Sequence, residues 1–348
     1  MRQNIPSIAL YSLLALLIVA FSAAHAAKDT AKYKVTRNEF GQPDLQGVWN
    51  YNSFVPLERP ARFSDNEFLS PEQQAKAAAQ QEKLFSQLNN SAFGMNDFWL
   101  DMSTVHNPRS SLIIYPMDGR MPELADGVKK GTSAFAAVMN DVKGTLPVRL
   151  LFGGIGKSGP EERGLYERCL VSGVGPPPIM PLPDLPILQI FQNKDHVVVM
   201  FETIHDARII PLDGRPFSND RIRSWLGESR GHWEGDSLVV VTKNFNSLTQ
   251  SFANSGNAYD KMVTERFTRT AANIIQYEAT IDDPATFQDK IVLTFPMERS
   301  DAQLYEFACH EGNYSLPGIL AGARKLDRDA AQKNAESQIG SSGPAKNE

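Results

Sequence analysis

The sequence predicts a mainly β protein, built as one antiparallel barrel or strongly curved sheet of lipocalin-like character, with a peripheral N-terminal helix and a C-terminal helix packed outside. Three observations lead there. From Ser111 onward, β-branched and aromatic runs bounded by turn residues recur along the chain. Consecutive runs are joined by short turns instead of helical crossovers, which indicates antiparallel pairing. Only two segments carry helical spacing with helix-boundary residues, one near each end.

Taken in order, residues 27–42 are polar and read as extended. Order begins at Pro43-Asp44-Leu45-Gln46-Gly47-Val48-Trp49, where a buried Trp49 can anchor the first strand. Ser70-Pro71-Glu72 places an N-cap serine and a first-turn proline at the head of a helix running to about Leu88, with Leu84, Phe85 and Leu88 as its packing stripe. Strands are predicted over Ser111–Tyr115, Leu188–Gln192, His196–Thr203 and Ala207–Leu212. Ser237–Thr242 follows a tight hairpin at Trp233-Glu234-Gly235-Asp236. Met262–Thr270, Ile274–Ile281, Lys290–Phe295 and Leu304–Cys309 complete a meander. In Ile274–Ile281 the alternation puts Ile275, Tyr277, Ala279 and Ile281 on one face. Gly173–Pro186 carries six prolines and must be an extended strap, over a cavity or across the surface. Pro116–Arg120 and Pro211–Arg215 repeat one Asp-Gly turn solution. The last helix spans Leu316 to about Ala335 and gives way to a Ser/Gly/Pro tail. The organisation is then a leader over 1–26, the extended segment 27–42, one β-rich domain with a helical and loop-rich N-terminal layer over 43–325, and a helix end with disordered tail over 326–348.

The leader rests on Arg2, an apolar stretch from Ile8 to Phe21 that is short for a bilayer span, and an A-x-A site at Ala24-His25-Ala26. A periplasmic or secreted location after cleavage near Ala26 follows, with no transmembrane anchor. Cleavage after Ala24 would instead expose His25 as a copper-chelating terminus, which the A-x-A site disfavours and which needs a second, well-placed histidine. Loss of Arg2 leaves 34 basic against 40 acidic residues, a formal charge of −6. With no basic stripe, nucleic acid is excluded as a partner. Cys169 and Cys309 are the only cysteines. In an oxidising compartment they would close a loop of about 140 residues, stabilising by roughly 4–5 kcal/mol in the loop-entropy picture. Two buried thiols are the alternative.

Two catalytic-looking strings fail on context. Gly227-Glu228-Ser229-Arg230-Gly231 spells a nucleophile elbow but precedes a β-hairpin instead of a helix. Gly153-Gly154-Ile155-Gly156-Lys157-Ser158 resembles a phosphate loop but has Leu151 where the first glycine belongs.

The residues chosen as a candidate site lie in three polar clusters on or beside predicted strands. His205 and Asp206, His232 and Glu234, and His310 and Glu311 are the candidate acid–base groups, because a carboxylate beside an imidazole tunes it for proton transfer near neutral pH. Arg208, Arg230, Trp233, Asn313 and Tyr314 are candidate substrate-binding groups around them. Strand parity puts His232 with Glu234 and turns Trp233 away, and puts Glu306 with His310. No H-x-H or H-E-x-x-H spacing supports a metal, so none is assigned and no cofactor is required; a divalent ion on His205, His232 and His310 or Glu311 is the minor alternative. The bland reading is that these groups satisfy one another at strand ends. The favoured function is an exported enzyme, a hydrolase, lyase or isomerase, acting by acid–base chemistry on a small, largely apolar organic molecule. The alternatives are a non-catalytic lipocalin-like carrier of such a ligand, or an envelope scaffold.

Several long strings also resemble a broad group of uncharacterised exported bacterial proteins: Pro43–Trp49, His205–Pro216, Arg230–Val240 and Ala308–Tyr314, within residues 43–325. The resemblance implies an exported location and imports no catalytic role.

Overall fold

In a sheet that shields one face, side chains alternate between the core and the outside, as the burial patterns over His196–Phe201, Met262–Ala271 and Ile274–Asp282 do. The computed structural model describes residues 33–63, 66–89, 105–128, 156–171, 177–181 and 186–341. The leader, half of the phosphate-loop-like string, much of the proline-rich strap and the final tail lie outside the described residues. Ten strands form one sheet: β1 (Gly47–Asn50), β2 (Ile113–Tyr115), β3 (Ile187–Gln192), β4 (His196–Phe201), β5 (Ala207–Pro211), β6 (Glu228–Glu234), β7 (Ser237–Lys243), β8 (Met262–Ala271), β9 (Ile274–Asp282) and β10 (Ile291–Ser300). Their spatial order is β5-β4-β3-β1-β10-β9-β8-β7-β6, with β2 attached to β10, and every ladder is antiparallel.

The concave side is the core. On β9, Ile275, Tyr277, Ala279 and Ile281 are buried, and Gln276, Glu278 and Thr280 are not. Trp49 is fully buried, its indole Nε1–H donating to the Leu45 carbonyl at 2.9 Å. The α1 helix (Pro71–Asn89) begins where its boundary residues place it: the Gln73 amide donates to Ser70 Oγ, and Gln73 Oε1 accepts from the Ser70 amide at 2.8 Å. The side chains of Leu84, Phe85 and Leu88 lie outside what the structure describes. Gly119 and Gly214 share φ +71, and Asp118 and Asp213 each accept from the amide two residues on, so the repeated string is one turn used twice.

Three expectations are corrected. The sheet is strongly curved but does not close into a barrel, because its edge strands β5 and β6 come together without a backbone ladder. They meet through side chains: a Cβ on Gly231 would lie 2.8 Å from both Ile210 and Leu212. Residues 304–308 form no strand, and Cys309–Gly312 is a short helix, α2. Both flanks of β10 are already paired, so the segment cannot extend the meander beside it; instead the Tyr305 amide donates to Glu202 Oε1 at 2.9 Å, and Cys309 is bonded to Cys169. The C-terminal helix α3 (Ser315–Ser341) runs six residues past Ala335 and is largely exposed along its length, tied down near its start by the disulfide and by Arg324 donating to the Ser158 carbonyl.

Where β5 faces β6, a buried ion pair spans the interior. Arg208 of β5 makes a two-pronged contact with Glu265 of β8, at 3.0 and 2.5 Å, and both side chains are almost wholly buried. Tyr277 of β9 donates its hydroxyl proton to Glu265 Oε1 at 2.8 Å and accepts from the Ile179 amide of the strap at 2.8 Å. Burial works against a charged guanidinium, but Glu265 outweighs it and holds Arg208 above its ordinary pKa; burial, then Glu265, pushes Tyr277 well above 10. Removing one partner leaves the other charge stranded in an apolar interior. Arg208→Met is therefore expected to lose about 3–5 kcal/mol of stability in urea unfolding, and adding Glu265→Gln should return most of it, since Gln keeps an acceptor for Tyr277 without a charge.

Candidate functional site

The three polar clusters of the sequence lie at the head of β5, on β6 and on α2. On β6, His232 and Glu234 do share a face, with His232 Nε2 2.9 Å from Glu234 Oε1, but it is the outer face, open to solvent. Arg266 of β8 completes the group at 2.7 Å from Glu234, and His232, then Arg266, hold the Glu234 carboxyl below its ordinary pKa. Trp233 points inward against the core. Arg208 belongs to the buried pair, and Arg230 contacts Glu228 and the carbonyls of Arg215 and Pro216. Both arginines border a cleft of about 420 Å³ with Trp225 and Ser229. His205 ends a short turn whose Ile204 has φ +59, a strained value for a β-branched residue, and Asp206 follows half-buried; the His205 side chain lies outside what is described. His310 and Glu311 are exposed on α2, Tyr314 is exposed, and Asn313 donates to the Glu167 carbonyl at 2.7 Å beside the disulfide. Asn313, Glu306 and Cys309 line a second cleft of about 610 Å³. Among the described residues, no group of three or more His, Cys, Asp and Glu could hold a metal.

A different constellation brings chemistry to a cavity. About 360 Å³ of space lies between residues 177–181, the described part of the strap, and residues 249–254. Leu57, Leu165, Val171, Pro177, Pro178 and Met180 make its apolar wall; Thr249, Gln250, Ser251 and Lys261 make the polar one. Lys261 sits immediately before β8, in phase with the inward face that carries Val263, Glu265, Phe267 and Arg269. Its side chain is buried, with Nζ donating to the Ser251 carbonyl at 2.9 Å and lying 4.2 Å from the centre of the Phe245 ring. Burial lowers its pKa to about 7, against a smaller upward pull from Asp283. Ser251 Oγ donates in turn to Asp283 Oδ2, tying this wall to the β9–β10 connection. Thr249 Oγ1, Gln250 Oε1 and Asp283 Oδ1 are buried without a hydrogen-bond partner among the described residues.

The backbone here is strained in a specific way. Phe252 and Ser255 pair across a two-residue turn whose Ala253 and Asn254 both have positive φ, +49 and +61. Asn tolerates that region and alanine does so at a cost of order 1 kcal/mol. Gly256 is required, since a Cβ would fall 2.0 Å from Thr286 Oγ1. Sequence reasoning missed this site. The usable signal was the alternation of β8: carried back two residues, it places Lys261 inward with Glu265 and Arg269.

Comparison with protein-family models, curated proteins and solved structures finds no match to this chain.

The buried amine makes a pH prediction. Lys261 is charged in both the folded and unfolded chain below pH 7, so the full cost of the buried charge applies there. Between pH 7 and 10 the folded chain gives up this proton first, the unfolded chain binds more, and stability rises with pH. Lys261→Met lacks that rise. Whatever its constant offset, the urea-derived stability of the wild type should gain about 2 kcal/mol on the variant between pH 7 and 9. A parallel pair of pH profiles would remove the depressed lysine.

Proposed function

We propose that the protein is an exported enzyme that seats a small, largely apolar organic molecule between the strap and residues 249–254, and that Lys261 exchanges a proton with it. The observation that carries this reading is that one buried amine and two side chains whose oxygens have no partner among the described residues line the polar wall of an otherwise apolar cavity. A cavity of about 360 Å³ accommodates a molecule of modest size. The neutral amine can take a proton and the ammonium can return it, and a pKa of about 7 populates both forms near neutral pH. Hydrolysis, elimination and isomerisation all need that exchange. The Cys169–Cys309 disulfide is compatible with an oxidising compartment, which supports export. This reading moves the acid–base role from the solvent-facing His232–Glu234 pair to Lys261.

A second reading, a lipocalin-like carrier, is favoured by the hydrogen bond from Lys261 to Ser251 and its stacking on Phe245, which would make the amine a fixed prop within a purely binding cavity. Two measurements separate the readings. Val171→Trp should fill the cavity and weaken binding of the apolar dye N-phenyl-1-naphthylamine at least tenfold, while His232→Gln leaves it unchanged. In a small-molecule extract followed by mass spectrometry, an enzyme consumes at least one component that Lys261→Met does not. A component retained unaltered by both proteins supports the carrier.

A further inference from the structure

We propose that the cavity takes a small apolar aldehyde or ketone and that Lys261 binds it covalently as an imine; this rests on the cavity being the functional site. Among the described residues lining the cavity, Lys261 is the only ionisable one, so it is the only strong nucleophile that an apolar ligand would meet there. It forms no ion pair among the described residues: its Nζ is held by one carbonyl, that of Ser251, and by the face of Phe245. Asp283 is the charged group that acts on it, and that carboxylate already accepts from Ser251 Oγ. A lysine so placed is neutral in about half of the molecules at pH 7, and desolvation of the amine is the usual route to an imine-forming lysine.

The unpaired oxygens fit the same chemistry. Attack of the neutral amine on a carbonyl carbon forms the C–N bond and moves the carbonyl π electrons onto oxygen. A proton passes from nitrogen to that oxygen, giving a carbinolamine whose hydroxyl needs hydrogen-bond partners within the wall. Thr249 Oγ1 can donate to it and Gln250 Oε1 can accept from it, and neither has another partner among the described residues. The C–O bond then breaks with transfer of one more proton to the departing oxygen, leaving a protonated imine and one water. Overall, the ammonium form of Lys261 and the carbonyl compound give the iminium and water, with no oxidant or reductant. The iminium draws electrons from the adjoining carbon and acidifies its C–H bonds, which is a use for proton transfer at this site. Water reverses the linkage and releases product.

Reductive trapping tests this directly. Intact protein is incubated with benzaldehyde and sodium cyanoborohydride, digested and mapped by mass spectrometry, with N-phenyl-1-naphthylamine displacement measured in parallel. The expected result is a benzyl adduct at Lys261 forming at least tenfold faster than at the exposed Lys290 or Lys325, slowed by the dye and in Val171→Trp, and absent from Lys261→Met. Its rate should climb through pH 7 as the amine loses its proton. If benzaldehyde displaces the dye but the label is spread over exposed lysines, the imine is overturned and the cavity reading stands. If neither dye nor benzaldehyde binds, the cavity reading falls and the imine with it.

Discussion

The Arg208–Glu265 pair is the constraint on which the rest of the sheet depends. A curved sheet whose edges do not ladder has an open seam, and here the seam is spanned from inside by a guanidinium on one edge strand and a carboxylate two strands in from the other. The pair costs desolvation on both sides, so its geometry has to be satisfied in full. That demand fixes neighbours. Ser229 and Thr242 lie beside the guanidinium and bond to each other, Tyr277 donates to the same Glu265 Oε1 that Arg208 Nη1 contacts, and the amide of Ile179 donates to the tyrosine oxygen. The strap that walls the cavity is thus registered against the buried charges of the core. Positioning of the candidate site and closure of the sheet are parts of one hydrogen-bonded chain.

The inward face of β8 carries the consequence along its length. Lys261, Glu265 and Arg269 occupy it at intervals of four residues, roughly 13 Å apart along a strand. Each meets a different solution. Glu265 is neutralised by an arginine, and Arg269 reaches out to the carbonyls of Asp44 and Ala272, which ties the N-terminal segment to the sheet. Lys261, alone of the three, has no carboxylate contact among the described residues, and burial lowers its pKa to about 7. The positive-φ turn at Ala253–Asn254 and the obligatory Gly256 hold the opposing backbone where the amine can reach it. Strained backbone and a buried amine with a depressed pKa thus lie side by side on one wall of the cavity.

Much of the fold was legible because it rests on local patterns. Alternation at Ile274–Ile281, the Ser70 cap and the paired Asp-Gly turns depend on side chains a few residues apart, and each appears where the sequence puts it. The Leu304–Cys309 run alternates just as well, yet forms no strand, and β10 has no vacant flank beside which it could extend the meander. Closure of the sheet was equally out of reach, since it depends on how Gly231 packs against Ile210 and Leu212 across the seam. For the candidate site, histidine drew attention by its unperturbed pKa, and the pairing of His232 with Glu234 was read correctly. Which face of the sheet that pair occupies is a property of curvature. A lysine becomes chemically interesting only once burial has moved it, and the one hint of that burial in the sequence is the β8 alternation carried back to Lys261.

The disulfide has a topological meaning beyond the ends it joins. Cys169 precedes β3 and Cys309 follows β10, so the covalent ring of the two half-cystines threads through eight of the ten strands, leaving only β1 and β2 outside. A single backbone cut anywhere within that ring, in the 249–257 turn or the β9–β10 connection for instance, opens a loop without producing two separable molecules. The ring therefore converts a proteolytic nick near the cavity from a loss of mass into a change of connectivity. In a compartment where proteases and oxidants coexist, the sheet could be cut at its site and remain one molecule until a reductant arrives.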